Sequence, residues 1–383
     1  MTLPLVPPAV IGIIGGGQLG MMTIREAQRM GYRSVVWDPD PSCSASRLAD
    51  TVIAAPFNDA AAAERIANAS DVITYEFEHI DVELVRSLEA QKRVRPGHSI
   101  LEVAQHRAVE KKALRALGIP VADFRVAETL TEARSGLDEI GLPAVVKTSS
   151  AGYDGKGQTM LRTQSEVDAF TRAFASKPVE VVIEQFLDLS CEVSVIAARD
   201  DAGAVQEFPV ARNEHRDHIL HLTVVPAGID EQLKREALAL ARKVIEGLNV
   251  VGVLCVEMFI TKDGRVLVNE IAPRPHNSGH ITLDACSISQ FEALVRVAAG
   301  LEVPEPVLLC PCAMVNLLGT HVAVVDVEAL HRIPGTKLHL YGKRRIEPKR
   351  KMGHITILGE TADIVWERVR RVRTLIGEPE QLK

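Results

Sequence analysis

Short apolar segments alternate with amphipathic segments from Val10 to about Pro96. The runs VIGII, SVVWD, TVIAAP and DVITYE are separated by the helical patterns QLGMMTIREAQRM and AAAERIANA. Short strands that alternate with helices are typical of a parallel sheet whose crossover helices cover its faces. The first hundred residues are therefore predicted to form a parallel α/β unit.

The middle of the chain contains strand candidates with turn signals between them. The segments LPAVVKTS, QTMLR, EVVIEQFL, CEVSVIAARD and AVQEFPVAR read as strands, and residues 200–203 form a turn between the last two. After the helix DEQLKREALALARKVIEGL, the strands VVGVLCVEMFI and RVLVNEIA are joined by the hairpin signal TKDG. This hairpin is expected to place Glu257 and Glu270 on neighbouring strands.

Two breaks divide the chain of 383 residues, a length that fits two or three domains. Arg95-Pro96-Gly97 ends the first pattern and precedes a connector helix, HRAVEKKALRALGI. Pro304 and Pro306 precede strands near AMVNLLG, KLHLYG and GHITILG and a last helix around TADIVWERVRRVRTLI. The breaks predict three domains, at residues 1–104, 105–303 and 304–383, in a mixed α/β and α+β fold.

Composition and charge narrow the class of protein. A formal charge of -6 gives no overall attraction to nucleic acid or to anionic lipid. The start lacks a basic segment with a cleavage site, and no stretch reaches the roughly 18 apolar residues of a membrane span. The six cysteines form no CxxC pair, and several lie in apolar runs. A cytoplasmic enzyme with reduced thiols, without nucleic acid or membrane partners, is expected.

A first glycine motif follows the first strand. Gly15, Gly17 and Gly20 match GxGxxG, and Asp38 ends the next strand about 20 residues later, as in nicotinamide enzymes. Glycines at a helix N-terminus also admit other phosphates, such as a sugar phosphate, or merely form a tight turn. All three interpretations stay open, although no hydride-transfer site is evident downstream.

A second glycine-rich segment follows the strand LPAVV. Lys147 ends that strand, and the loop SSAGYDGKGQ carries Gly152, Gly155 and Gly157, whose backbone N–H groups can wrap phosphates. A flexible lid over a triphosphate fits this pattern. The alternative is a solvated turn with a lysine that reaches water.

Four glutamates follow at strand positions. Glu184 ends VVIEQFL and Glu192 comes eight residues later, so that one carboxylate could accept from an adenine amino group and the other from a ribose hydroxyl. Glu257 and Glu270, with Asn269, offer the hard oxygen ligands that Mg²⁺ prefers. Without a cation, the opposed glutamates would repel each other.

Polar residues cluster directly after the last of these glutamates. IAPRPHNSGH brings Arg274, His276, Asn277 and His280 beside the expected metal position, where an arginine and a histidine could hold an oxyanion and move a proton. A polar loop is the alternative. The later segment YGKRRIEPKRKMGH is strongly basic and indicates a phosphate site, a solvated turn or a nucleic-acid contact.

Together these motifs resemble the ATP-grasp superfamily, and within it the purine-biosynthetic ligases that carboxylate 5-aminoimidazole ribonucleotide. The resemblance covers essentially the whole chain and rests on GIIGGGQLGMM, DVITYEFEHI, VVKTSSAGYDGKGQ, NEIAPRPHNSGH and KRKMGHI. It implies an ATP-grasp fold with an N-terminal Rossmann-like domain and a small C-terminal β-rich domain. It also implies that ATP phosphorylates bicarbonate to carboxyphosphate, whose carboxyl group passes to the exocyclic amine.

The resemblance further implies ATP and two Mg²⁺ ions as cofactors, and a homodimer. A sister ligase that uses formate and glycinamide ribonucleotide, an NAD-dependent dehydrogenase and a non-catalytic nucleotide-binding protein are the alternatives. One departure from the family pattern is visible in the basic segment. Glu347 and Lys349 replace an expected arginine and glycine, which puts the shape of that loop in doubt.

Site residues follow from the resemblance position by position. ATP would contact Arg107, Lys147, Gly152, Tyr153, Asp154, Gly155, Lys156, Gly157, Gln158, Glu184, Gln185, Phe186, Leu187, Glu192, His215, Asn269 and Glu270. The ribonucleotide and bicarbonate would contact Gly16, Gly17, Gln18, Leu19, Glu76, Arg274, His276, Asn277, Lys343, Arg350 and Lys351. Glu257 and Glu270 would hold the metal, and Arg274, His276, Lys343 and Tyr153 would be catalytic.

Overall fold

The computed structural model describes residues 3–150 and 157–378. Five residues of the predicted lid, Gly152, Tyr153, Asp154, Gly155 and Lys156, therefore lie outside the described residues. Among the helices that are described, none combines the length and the apolar character needed to cross a membrane.

The N-terminal region is a five-stranded parallel sheet in the order β3-β2-β1-β4-β5, which confirms the predicted α/β unit. Its central strand is buried on both faces. Ile11 and Ile13 pack with Met22, whereas Ile14 faces Ile66 on the opposite side. The strands are β1 (Val10–Ile14), β2 (Arg33–Asp38), β3 (Thr51–Ala54), β4 (Val72–Tyr75) and β5 (Arg93–Val94), and the helices are α1 (Gln18–Arg29), α2 (Ala60–Ala69), α3 (Val82–Glu89) and α4 (His98–Ala104), with a 3-10 turn at Ser44–Arg47.

A second, four-stranded antiparallel sheet follows in the order β6-β9-β7-β8. Two of its helices begin with capping boxes, at Thr129 with Glu132 and at Thr163 with Glu166, in which side chains satisfy the free N–H groups of the first turn. The elements are α5 (Arg107–Ala116), β6 (Phe124–Ala127), α6 (Leu130–Ile140), β7 (Ala144–Thr148), β8 (Gln158–Leu161), α7 (Gln164–Ser176) and β9 (Val181–Gln185).

The third sheet has nine strands, with the path β15-β14-β10-β12-β13-β16-β18-β17 and β11 paired to β10. Its elements before residue 300 are β10 (Leu189–Arg199), β11 (Val205–Glu207), β12 (Ala211–Arg216), β13 (Ile219–Val225), α8 (Glu231–Gly247), β14 (Gly252–Thr261), β15 (Val266–Ala272), a 3-10 turn at Asn277–Ile281, α9 (Thr282–Ala285) and α10 (Gln290–Ala299). Those after it are β16 (Cys312–Leu318), α11 (Gly319–Val322), α12 (Val327–His331), β17 (Thr336–Leu340), β18 (Lys351–Leu358) and α13 (Ala362–Leu375).

Two features of this sheet differ from the sequence predictions. The segment AVQEFPVAR, predicted as one strand, is split into β11 and β12 around Pro209, whose nitrogen has no hydrogen to donate to a ladder. The C-terminal strands also continue the same sheet, because β13 pairs with β16 through contacts such as Leu222 with Val315. The predicted domain boundaries remain predictions.

Candidate functional site

A cavity of about 670 Å³ lies where the three sheets meet. It collects most of the predicted site residues: Gln18, Leu19, Glu76, Arg107, Lys147, Gln158, Glu184, Gln185, Phe186, Leu187, Glu192, His215, Glu257, Asn269, Glu270, Arg274, His276, Asn277 and Lys351. Five other predicted residues that the structure describes do not line it: Gly16, Gly17, Gly157, Lys343 and Arg350. Residues from the predicted ATP side and from the predicted substrate side thus line one cavity.

Lys147 projects from β7 into this cavity between two oxygen-bearing side chains. Its Nζ donates to Glu184 Oε2 at 2.8 Å and to Asn269 Oδ1 at 3.4 Å. Lys111, from α5, lies with its Nζ 3.6 Å from the other oxygen of Glu184. Burial opposes the charge on Glu184, but the two lysines hold the pKa of this carboxyl at about 2.

This cluster changes the interpretation of Glu184. Both of its oxygens face lysines, so an adenine amino group would have to share an oxygen with Lys147 or Lys111, and that role of Glu184 remains a prediction. Sequence reasoning missed Lys111, which is fully buried although it lies in a charged helix beside the exposed Lys112. The two lysines differ only in their position around α5, because Lys111 lies on the face that packs inward and Lys112 does not.

Arg107 enters the cavity from the start of α5. Its Nη2 lies 3.5 Å from Glu270 Oε2, while its buried Nε and Nη1 have no hydrogen-bond partner among the described residues. Unused guanidinium donors in a cavity are suited to an anion such as phosphate. Glu110, which sequence reasoning also missed, accepts from the N–H of Ile271 at 2.6 Å, and burial raises its pKa to about 8.

The predicted carboxylate pair is present. Glu257 on β14 lies directly opposite Glu270 on β15, as the hairpin predicted. Burial, with the adjacent charge of Glu270, raises the pKa of Glu257 well above its usual value. Two opposed carboxyl groups of this kind fit a divalent cation, which would remove their repulsion. Among residues 3–150 and 157–378, no group of three or more potential ligands is assembled, so further ligands would come from phosphate oxygens and water.

Arg274 and His276 lie on the opposite side of the metal position. Both nitrogens Nε and Nη2 of Arg274 donate to the carboxylate of Glu78, the latter at 2.9 Å. The pair links the end of β15 to the chain after β4, and Arg274 holds the pKa of Glu78 at about 2 against the effect of burial. His276 Nε2 lies 3.4 Å from Glu257 Oε1. Burial and the charge of Arg274 lower the pKa of His276 well below its usual value.

The backbone N–H groups of the GxGxxG turn are hydrogen-bonded to carboxylate side chains of the protein. The N–H of Gly16 donates to Asp38 Oδ2 at 2.8 Å, and the N–H groups of Gly17 and Gly20 donate to the two oxygens of Glu76. A Cβ at Gly17 would lie 2.5 Å from Glu76 Oε1, so glycine is needed for this close approach. Asp38 and the turn N–H groups are therefore engaged in a structural contact, which weighs against the dinucleotide interpretation.

The basic segment approaches the cavity mainly through Lys351. Lys343 Nζ donates to the carbonyl of Lys351 at 2.8 Å, and burial, with the nearby charge of Arg350, lowers its pKa to about 8. Residues 347–350, where the sequence departs from the family pattern, form a turn that is closed by a hydrogen bond from the N–H of Arg350 to the carbonyl of Glu347. Lys349 is exposed, and its Nζ lies 3.9 Å from Asp217 Oδ2. Roles for Lys343 and Arg350 at a substrate remain predictions.

Family models match three consecutive parts of the chain. They describe a ribonucleotide synthetase preATP-grasp domain at residues 9–105, an ATP-grasp domain at residues 112–291 and a phosphoribosylaminoimidazole carboxylase C-terminal domain at residues 312–368. The fold is therefore an ATP-grasp domain with an N-terminal parallel-sheet domain and a C-terminal antiparallel sheet, which confirms the predicted fold class.

Whole-chain relatives agree with these matches. The N5-carboxyaminoimidazole ribonucleotide synthase of Bacillus subtilis (strain 168) is 42% identical over 357 residues, covering 93% of each chain. A crystal structure of an N5-carboxyaminoimidazole ribonucleotide synthetase as its ADP complex has 40% identity and a TM-score of 0.94, covering 99% of this chain and 100% of that chain. The Aspergillus clavatus synthase, solved with ADP and 5-aminoimidazole ribonucleotide, has 27% identity and a TM-score of 0.85, with 96% and 98% covered. The chain belongs to the N5-carboxyaminoimidazole ribonucleotide synthase family of ATP-grasp ligases.

Proposed function

We propose that this protein is an ATP-dependent ligase of purine biosynthesis that converts 5-aminoimidazole ribonucleotide and bicarbonate to N5-carboxyaminoimidazole ribonucleotide, with release of ADP and phosphate. The observation that carries the proposal is the single cavity that joins the Lys147–Glu270 side to the Arg274–His276 side. An intermediate made at the first side can react at the second without leaving the cavity.

Phosphoryl transfer is assigned to the Lys147 side of the cavity. Lys147 and Arg107 supply positive charge where a triphosphate would lie, and two of the three guanidinium nitrogens of Arg107 keep donors free of described partners. A bicarbonate oxygen attacks the γ-phosphorus, the bond to ADP breaks, and carboxyphosphate forms. Positioned cations offset the charge that develops in such a transfer.

Glu257 and Glu270 would hold Mg²⁺ at the boundary between the two sides. The bound cation would neutralise charge on the phosphate oxygens of ATP. The two carboxyl groups fit this role because they are opposed in register and because burial, with the charge of Glu270, raises the pKa of Glu257. Asn269 would contribute through its hydrogen bond to Lys147, which orients the ammonium group.

Carboxyl transfer is assigned to Arg274 and His276. Arg274 stays cationic beside Glu78 and can stabilise the oxyanion of carboxyphosphate. The amine nitrogen of the ribonucleotide bonds to the carboxyl carbon, phosphate leaves, and the amine gives up one proton. His276, whose Nε2 faces Glu257 in the same cavity, would accept that proton. Asn277 adds a largely buried amide whose oxygen and nitrogen have no partner among the described residues, and which lines the same wall.

The test is a coupled ADP assay with and without 5-aminoimidazole ribonucleotide at controlled bicarbonate. We expect ADP release that depends on both. ADP release with formate and glycinamide ribonucleotide would instead indicate the sister ligase. Micromolar binding of NADH together with failure to bind ATP and Mg²⁺ would refute the ligase assignment altogether.

We further propose that the enzyme acts as a cytoplasmic homodimer. All six cysteines are free, which is consistent with a reducing compartment. Sedimentation equilibrium would measure a mass near twice 41.7 kDa for the dimer. A mass equal to that of one chain over the micromolar range would contradict the proposal.

A further inference from the structure

Gln290 is a buried polar residue at the start of an otherwise apolar helix face. It opens α10, whose following residues Phe291 and Val295 pack against α1, and its side chain is completely inaccessible to water. A buried amide is costly unless its oxygen and nitrogen find partners. The partners of Gln290 therefore indicate why a glutamine lies here.

The amide of Gln290 pairs with both main-chain groups of one residue, His276. Its Oε1 accepts from the N–H of His276 at 2.8 Å, and its Nε2 donates to the carbonyl of His276 at 2.7 Å. His276 has an extended backbone, with φ -116° and ψ 154°. The side chain thus makes the two bonds that a neighbouring strand would make to a residue of a β-ladder.

Surrounding contacts give this pairing a defined geometry. Gln290 Nε2 also lies 3.3 Å from His280 Nδ1, and the N–H of Gln290 donates to Thr282 Oγ1 at 2.9 Å. A Cβ on Gly279 would lie 2.4 Å from Gln290 Oε1, so a glycine at this position admits the amide. The polar loop that carries His276 is consequently attached to the end of a helix packed in the core.

We propose that Gln290 is a positioning residue for carboxyl transfer, which holds the backbone of His276 so that its ring faces Glu257 and the cavity. The inference rests on the proposed function for its kinetic readout. Gln290 itself does not line the cavity and acts only through His276. Its loss should therefore impair the step that uses His276 while ATP binding is preserved.

The kinetic test is a double-mutant cycle with Gln290→Leu, His276→Ala and the combined variant. Gln290→Leu is expected to lower ribonucleotide-dependent kcat at least tenfold with the Kd for ATP changed less than twofold. In the His276→Ala background the same change should alter kcat less than twofold. Asn316→Leu is the matched control, because Asn316 is an equally buried amide that does not itself line the cavity and that donates to the carbonyl of the cavity-lining Leu220, away from the loop that carries His276.

Gln290→Glu supplies a second measurement should the leucine variant fail to fold. A protonated glutamic acid can still donate to the carbonyl of His276, whereas the ionised form cannot. Its kcat relative to the wild type should therefore fall as pH rises from 6 to 9. A kcat of Gln290→Glu that equals the kcat of the wild type at every pH from 6 to 9 would overturn the inference. Full additivity of the two substitutions in the double-mutant cycle would also overturn it.

A crystal structure of the Gln290 variant separates this inference from the proposed function. Displacement of the His276 ring from Glu257 is expected whichever reaction the wild type catalyses. An undisturbed ring would refute the positioning role, while a wild-type enzyme without ribonucleotide-dependent ADP release would refute the proposed reaction.

Discussion

The ion pair between Glu78 and Arg274 should contribute to both stability and catalysis. It joins the chain after β4 to the chain after β15, and each side chain is only 19% exposed. The substitution Glu78→Gln keeps the shape of the side chain and removes its charge. The guanidinium of Arg274 then remains in the interior without a counter-charge from Glu78. Removing one partner of a buried ion pair is strongly destabilising, because the other charge is left uncompensated.

The pKa of Glu78 sets the size of the expected loss. This pKa is about 2, compared with 4.5 for an ordinary glutamate. At about 1.4 kcal/mol for each pKa unit, the difference corresponds to about 3 kcal/mol of stability. Because the folded-state pKa is depressed, this contribution is fully present above pH 4.5 and is lost as pH falls from 4.5 towards 2. At pH 7 the variant should show the whole loss.

Urea unfolding followed by tryptophan fluorescence measures this loss. Trp37 is fully buried in the N-terminal sheet and packs on Phe57, which in turn packs on Phe77, the residue before Glu78, so it reports unfolding of this region alongside the more exposed Trp366. Glu83→Gln is the control, because Glu83 is paired with Arg86 but is 74% exposed, and an exposed pair contributes less than about 1 kcal/mol. A Glu78→Gln midpoint equal to that of the control would refute the energetic argument.

Activity provides the second readout of the same variant. Without Glu78, the guanidinium of Arg274 is no longer held in a two-nitrogen contact, so kcat/KM for the ribonucleotide should fall roughly tenfold or more. Binding of ATP, assigned to the other side of the cavity, should change little. Wild-type kinetics in a destabilised Glu78→Gln variant would remove Arg274 from the proposed mechanism.

Three further predictions concern the charged groups on the ATP side. Glu270→Gln should abolish turnover by removing a metal ligand and should lower the thermal midpoint of the ligand-free protein at pH 7, because Arg107 holds the pKa of Glu270 below its usual value against the effect of burial and would lose its counter-charge; unchanged turnover would contradict the metal site. Glu110→Gln should stabilise the protein, and the gain should grow between pH 5 and 8. The reason is that the raised pKa of Glu110, about 8, makes the stability of the wild type fall as pH rises through that window. Thermal midpoints of variant and wild type at pH 5 and pH 8 check this, and the same difference between the two proteins at both pH values would contradict it. Lys147→Met should weaken ATP binding about tenfold by calorimetry, whereas Lys112→Met, at an exposed position of α5, should not; equal effects would contradict the assignment.

Local patterns in the sequence were sufficient for several parts of the site. The alternation of strands and helices predicted the parallel sheet, because the spacing of apolar residues along a segment reflects the local secondary structure of that segment. The TKDG turn predicted Glu257 and Glu270 on neighbouring strands, because a tight turn pairs the two strands that it joins. A shift of register between Met258 and Glu257 then brings Glu270, and not Asn269, directly opposite Glu257. These inferences required no knowledge of how distant segments pack.

Other parts depended on contacts between segments far apart in the chain. Glu76 reaches the glycine turn 59 residues away, so the turn alone did not reveal that its N–H groups were already engaged. The sequence also failed to anticipate β13, and with it the continuous sheet that includes the C-terminal strands.

The sequence by itself determined the family, the fold class and the main groups that line the cavity. Only the tertiary structure decided that Lys111 is buried against Glu184 and that Gln290 supports His276 from behind. The physical reason is that a lysine or a glutamine in a helix has the same local pattern whether it faces water or a charge. Which of these it faces is set by the packing of the helix, and that packing is a property of the whole chain.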